Sequence, residues 1–234
     1  SLKNNVEWLN VPHEILIFNN SKSIEVPESR QYKVYNSDEN KKLSGAYNFG
    51  LNHANVTEAE WMLLLDQDTE LTREFLIAVS SNLQTNFNPN IVNIVPRLTN
   101  DGKRISPHRI RFFNSIRVPI SKSGIYSTHL IALNSASLLR VSFLNAIGGF
   151  SEEFELDMLD YRTCLNIYKD KKQIYVLDTE LNHELSVINM EKQMSEERYK
   201  ALLTAEKRYI ELFGYMDRLM YQIRILFRYL KQAL

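Results

Sequence analysis

Five apolar residues, Trp61 to Leu65, run directly into Asp66 and Asp68 in the segment WMLLLDQDTE. Such a run reads as a buried strand. A buried strand that ends on two acids puts charge where it needs a partner. Around it, strand and helix patterns alternate. EILIF (14–18), YKVYN (32–36), NIVNIVP (90–96) and QIYVLD (173–178) read as strands, and HLIALNSAS (129–137) begins as one. SGAYNFGLNHA (44–54) reads as a helix, with Ala46, Phe49, Leu51 and Ala54 near one side. TREFLIAVSSNLQTNF is a helix that Thr72 caps. LLRVSFLNAIGGF (138–150) is a short helix stopped by Gly148 and Gly149. LDMLDYRTCLNIYKDK (156–171) is an amphipathic helix, and the pattern is helical again from Met190 on. SLKNNVEWL is helical by Leu2, Val6 and Leu9 until Pro12 breaks it, and 99–125 is polar loop with short strands. The alternation predicts an α/β fold with a mostly parallel sheet flanked by helices. Ligands of such sheets sit outside the carboxyl ends of the strands, where Asp66 and Asp68 fall.

The 234 residues suit one large domain with an appendage: a domain over 1–190 and a helical extension over 191–234. Lys plus Arg balances Asp plus Glu at 28 each, which leaves no basic excess for broad nucleic-acid binding. The one cysteine, Cys164, excludes an intrachain disulfide and fits a reducing compartment. No apolar run reaches the roughly 18 residues of a membrane span.

Two carboxylates spaced i, i+2 at a strand end can converge on one hard cation. Mg²⁺ or Mn²⁺ prefers oxygen ligands and often bridges to substrate phosphates. The same spacing also arises when Asp66 caps the next helix and Asp68 is solvated. The acids Asp157 and Asp160 lie three apart, on one face if helical, and both favour the positive end of a helix. His183, just after VLDTELN, is either a ligand or a structural histidine. His13, His53, His108 and His129 have no partner in the pattern.

LLLDQDTEL followed by a helix resembles the D-x-D segment of family 2 glycosyltransferases, which have the GT-A fold. The D-Q-D form is similar to that of rhamnosyltransferase-like members. EILIFNNSKS resembles the family's second strand and its Asn-Ser loop, SGAYNFGLNHA the helix before the D-x-D strand, and ALNSASLLRVSFLNAIGGFSEEFELDMLDYRTCLNIY the acceptor-side segment. LNHEL resembles the strand end that carries a histidine, and the likeness runs over roughly residues 10 to 190. It implies a nucleotide-sugar donor whose diphosphate meets a divalent metal, Mn²⁺ or Mg²⁺, at the D-x-D. Asp68 is then the closest metal ligand. Asp66 contacts the donor or the metal, and His183 joins the metal or the diphosphate. A carboxylate takes the proton of the attacking acceptor hydroxyl, with inversion at the sugar; the resemblance assigns this to Asp160, with Asp157 as runner-up. Asn20 and Asn48 become candidate donor-pocket groups, and Ser135 and Ser137 candidate acceptor-side groups. The implied activity is transfer of a sugar to a glycan or lipid-linked acceptor in surface polysaccharide synthesis, in the cytoplasm or peripherally at the inner face of the membrane.

Three positions depart from the family pattern. Phe18 stands where an Asp usually precedes the loop, Ala136 replaces the Gly of Ser-Gly-Ser, and Arg162 takes a position that is often acidic. The family's opening strand, of the type V-x-V-I-x-T-Y-N, is not found ahead of SLKNNVEWL, so the sequence is expected to begin inside a longer chain. Its real absence would favour a non-catalytic GT-A binding module. A sugar nucleotidyltransferase is a further alternative, although no glycine-rich, basic phosphate loop is found. In GYMDRLMYQIRILFRYLKQAL (214–234), Leu219, Ile223, Leu226 and Leu230 form a helical stripe beside Arg218, Arg224, Arg228 and Lys231. This helix packs on its own domain, pairs with a second subunit, or lies on an anionic membrane surface.

Overall fold

A computed structural model describes residues 6–27, 29–66, 69–85, 88–111, 116–183 and 195–232. Strands β1 (Leu16–Asn19) and β2 (Lys33–Asn36) pair in parallel as a sheet of their own. Helix α1 (Lys42–Val56) follows and buries Ser44, Tyr47, Leu51 and Ala54, a stripe at helical spacing. Of the sequence's amino-terminal helix, Val6–Trp8 forms a single 3₁₀ turn, and residues 1–5 lie outside the described residues.

Among the described residues the main sheet has six strands. Five run in the order β3 (Trp61–Leu63), β10 (Leu138–Arg140), β4 (Ile91–Asn100), β11 (Gln173–Asn182), β8 (Gly124–Tyr126), and β5 (Lys103–Ser106) pairs with β4. β4 and β11 are parallel, and β10 runs against both β3 and β4. β3, β4 and β11 therefore point the same way, and their carboxyl ends gather at one edge of the molecule. β5 and β8 add further antiparallel pairs, so the sheet is more mixed than the strand–helix alternation alone suggests. β10 is the element that the sequence hides: its three residues run straight into helix α3 (Val141–Ala146), and the joined segment has helical spacing. The polar stretch 99–125 holds β5, β6 (His108–Arg111), β7 (Ile116–Pro119) and β8; β6 pairs with β7 and with β9 (Leu130–Ile131) in a three-stranded sheet.

Helix α2 (Arg73–Leu83) begins where the sequence places it, with the Thr72 hydroxyl accepting from the Phe75 amide. It buries Phe75, Leu76 and Val79 against one face of the sheet, with Ile91, Ile94, Leu98, Leu138 and Leu177. On the other face, Val92, Val95, Leu139 and Val176 pack with α1, α3 and helix α4 (Leu159–Lys169). β4 is thus buried on both faces, which is why Ile91, Val92, Ile94 and Val95 do not alternate with exposed polar residues. Helices α5 (Glu196–Glu211) and α6 (Tyr215–Gln232) close the described chain. Tyr209 of α5 belongs to the α4-side core, with edge contacts to the rings of Tyr161 and Phe154.

Candidate functional site

The sheet's carboxyl edge is assembled by hydrogen bonds that run across the chain. Beyond β3 the strand continues through Leu64, whose amide donates to the Ser137 carbonyl while its own carbonyl accepts from Ala136. This ties the approach to Asp66 to the 132–137 loop. Tyr47 of α1 then donates to Asp66 Oδ1 at 3.1 Å, so the first acid of the pair is held by a helix beneath it. Asp68 lies outside the described residues.

The chain returns to the sheet at Thr69, which forms an antiparallel bridge with His183. The Glu70 amide donates to the Asn182 carbonyl, and the His183 amide to the Thr99 carbonyl. Three segments from distant parts of the sequence thus lie side by side. Thr69 Oγ1 lies 2.8 Å from His183 Nδ1 and also meets Ser135 Oγ. Thr69, Ser135 and His183 are all buried. A buried Ser–Thr–His cluster costs stability unless every group is paired, and here the pairing fixes the imidazole ring. Asn134, beside Ser135, is buried as well, and its Nδ2 has no hydrogen-bond partner among the described residues. Tyr47, Thr69 and Asn134 were not visible as site candidates in the sequence, since each residue type has many commoner tasks.

Three predicted residues are engaged in holding the fold. Asn20 Oδ1 accepts from the Lys41 amide and its Nδ2 donates to the Lys42 carbonyl, which caps α1 from outside. Asn48 donates to the Phe150 carbonyl and accepts from the Phe150 amide. The Ser137 hydroxyl donates to the Leu133 carbonyl, closing the loop before β10.

The acceptor-side acids differ in their surroundings. Both Asp157 oxygens are taken by the Arg198 guanidinium of α5, Oδ1 at 2.7 Å from Nη2 and Oδ2 by Nη1. Asp160, in the first turn of α4, accepts from the Tyr161 amide at 2.9 Å. Burial raises its carboxyl from 3.8 to about 6, against the opposing pull of that amide and of Arg117. One turn on, Cys164 Sγ accepts from the Ala132 amide at 3.3 Å, which seats α4 against the loop that leads to Ser135.

Two of the departures have structural counterparts. Phe18 joins Tyr35 and Phe49 in an aromatic cluster with ring centroids 4.0 to 5.2 Å apart. Ala136 is fully buried with φ of 57°, in the left-handed region that glycine occupies most easily.

For a metal, Asp66 offers a hard oxygen donor and His183 an imidazole, both at the carboxyl edge of the sheet. That donor chemistry suits Mn²⁺ or Mg²⁺ together with phosphate oxygens. Among the described residues no group of three or more His, Cys, Asp and Glu side chains gathers as a metal cage.

The glycosyl transferase family 2 model matches residues 8–148. Among curated proteins, none matches. The solved structure of GalNAc-T7 with UDP, GalNAc and Mn²⁺ is similar with a TM-score of 0.61 at 13% identity, over 88% of this chain and 43% of that one. The mannosyltransferase PcManGT from Pyrobaculum calidifontis, with GDP-Man and Mn²⁺, gives 0.51 at 12% identity, over 92% and 66%. TarS 1-349 of S. aureus with UDP gives 0.52 at 13% identity, over 89% and 67%. The chain spans only part of each of these structures, and at such identities the likeness is one of fold.

Proposed function

The chain belongs to glycosyl transferase family 2, and from that premise we propose that it moves a sugar, with inversion, from a nucleotide-diphosphate donor to a hydroxyl of a glycan or lipid-linked acceptor. One observation carries the reading: β3 and β11 bring Asp66 and the Thr69–His183–Ser135 cluster to one edge of the sheet. Asp66, Asp68 and His183 would hold a divalent metal, with the Thr69 hydroxyl orienting the imidazole through Nδ1. When bound, the metal offsets charge on the departing diphosphate. The solved relatives that contain Mn²⁺ with UDP or GDP-Man support this choice.

Asp160 is the base. A general base works best when its own proton affinity lies near the working pH, and burial brings Asp160 to about 6. Asp157 is instead bound through both oxygens to the Arg198 guanidinium, which ties it to α5. The Asp-Gln-Asp spelling at 66–68 favours a rhamnosyltransferase-like donor choice. We take α5 and α6 to belong to a helical extension, 191–234, of a 1–190 domain; α5 meets the rest of the chain through Arg198 and Tyr209. No helix among the described residues is long and apolar enough to cross a membrane. The outward face of α6 instead supports contact with a membrane surface or a second subunit.

Calorimetric titration of UDP, GDP and dTDP, with and without Mn²⁺, tests the reading. The expected result is metal-dependent binding of one nucleotide, lost in Asp68→Ala. One observation favours a second reading, a non-catalytic binding module: Phe18 is packed into an aromatic cluster where the family carries an acid. Nucleotide binding without transfer or hydrolysis of any sugar donor would decide for that module.

A further inference from the structure

A cleft lies beside the candidate base, between the start of α4, the β6–β7 hairpin and the two C-terminal helices. Its wall includes Arg117, Met158, Tyr161, Glu206, Tyr209 and Arg224. The interior is about 20 Å³, room for one water-sized group. Arg117, at its rim, is exposed.

The charges in this wall do not balance. Glu206 is buried, and its carboxylate is taken by the Arg228 guanidinium at 3.2 and 3.4 Å, with the Tyr221 hydroxyl at 3.5 Å. Arg117 feels the charge of Asp160 and Arg224 that of Glu206, but neither guanidinium makes a hydrogen bond to a carboxylate among the described residues. Each lies over an aromatic ring, Arg117 at 5.2 Å from the Tyr161 centroid and Arg224 at 5.3 Å from that of Tyr221. Arg224 Nε has no hydrogen-bond partner among the described residues. Tyr209 is an independent sign: it is 5% exposed, it lines the cleft, and its hydroxyl has no partner among the described residues either. A buried phenol is normally paired. Two guanidinium groups without a hydrogen-bonded acceptor and an unpaired hydroxyl surround one small space, a donor set that suits an acceptor-only group.

We propose that this cleft is an oxyanion subsite, in which one oxygen of a carboxylate or phosphate accepts from the Tyr209 hydroxyl and from Arg224, with Arg117 at the rim. Its position beside Asp160, taken with the transferase reading on which this step rests, makes the occupant an acidic group of the acceptor. The acceptor class is then an acidic sugar or a phosphate-bearing carrier.

The test uses the full chain labelled with ¹⁵N, with the arginine Nε–H signals followed during separate titrations of inorganic phosphate and of acetate. The expected result is a saturable shift of the Arg224 signal. It should weaken about tenfold in Arg117→Gln, which changes an exposed residue, and in Tyr209→Phe, which removes only the unpaired hydroxyl. Preference for phosphate names a phosphate-bearing acceptor and preference for acetate an acidic sugar; both sustain the subsite. A shift that does not saturate, or that is unchanged in both folded variants, is an adventitious ion only and overturns the proposal. Nucleotide binding is measured on the same sample. Nucleotide bound without oxyanion sinks the subsite alone, whereas oxyanion bound without nucleotide leaves the subsite standing and sinks the transferase reading.

Discussion

Thr69 and His183 are 114 positions apart in sequence, yet they are joined by a backbone bridge and by a 2.8 Å contact between Oγ1 and Nδ1. The same hydroxyl meets Ser135. Thr69→Val keeps the shape and removes both contacts, leaving a buried serine and imidazole short of a partner at a cost of about 1–3 kcal/mol. Loss of an outer partner of a metal-binding histidine typically weakens metal affinity by about 10–100-fold. The variant should therefore lower both melting temperature and Mn²⁺-dependent nucleotide affinity, and Thr69→Ser should restore both. If nucleotide affinity holds while stability falls, the cluster is purely structural.

Asp160 sets the pH dependence. Its carboxyl takes up a proton more readily in the folded protein, at about 6, than in the unfolded chain, at 3.8. Folding is thus favoured at low pH by this group, and its contribution is lost as pH rises from about 4 to about 6. The full effect is on the order of 3 kcal/mol. Asp160→Asn should accordingly raise stability at pH 7.5 and change it little at pH 4. The transfer rate should rise with pH through about 6 in the parent and fall by about 10²–10⁴-fold in Asp160→Asn, with nucleotide binding intact. A variant that keeps its rate removes Asp160 from the chemistry.

The parts of this molecule that could be read from sequence are those whose signal is local. The apolar run before Asp66 announces a strand, which forms over Trp61–Leu63 but is half-buried rather than buried, and Thr72 announces the start of α2. β10 is hidden in the sequence because a three-residue strand merges with the helix that follows, and it takes its identity from β3 and β4 on either side. Thr69 is hidden for the same reason at a longer range, since only the fold brings it to His183. Asn20 and Asn48 look like pocket residues by position, but an amide suits a backbone cap equally well. The sequence pattern does not tell the two tasks apart.

Gly149 and Asn48 should prove to be one structural unit. Gly149 has φ of 84°, and a Cβ placed there would sit 2.6 Å from Asn48 Oδ1. Gly149→Ala combines a left-handed backbone penalty of roughly 1–2 kcal/mol with displacement of the Asn48–Phe150 pair. A total loss of about 2–4 kcal/mol is expected from chemical denaturation. Asn48→Ala should lose about 1–3 kcal/mol with nucleotide affinity unchanged. A large drop in nucleotide affinity in a folded Asn48→Ala would return Asn48 to the donor pocket.

Helix α6 is turned with its apolar side outward. Arg224 and Arg228 face Glu206 of α5, and Arg218 donates to the Glu211 and Phe213 carbonyls. Leu226 and Phe227 are left 59% and 66% exposed, flanked by Ile223 and Leu230. A contiguous apolar stripe of this kind marks an interaction surface. Because these side chains make little contact within the chain, Leu226→Glu with Phe227→Glu should shift folding stability by no more than about 0.5 kcal/mol each. The pair should abolish whichever association the parent shows: concentration-dependent self-association in sedimentation equilibrium, or co-sedimentation with anionic vesicles. Loss of the first identifies a second subunit as the partner, and loss of the second identifies a membrane surface. Persistence of the parent's association in the charged variant would show that α6 is not the contact.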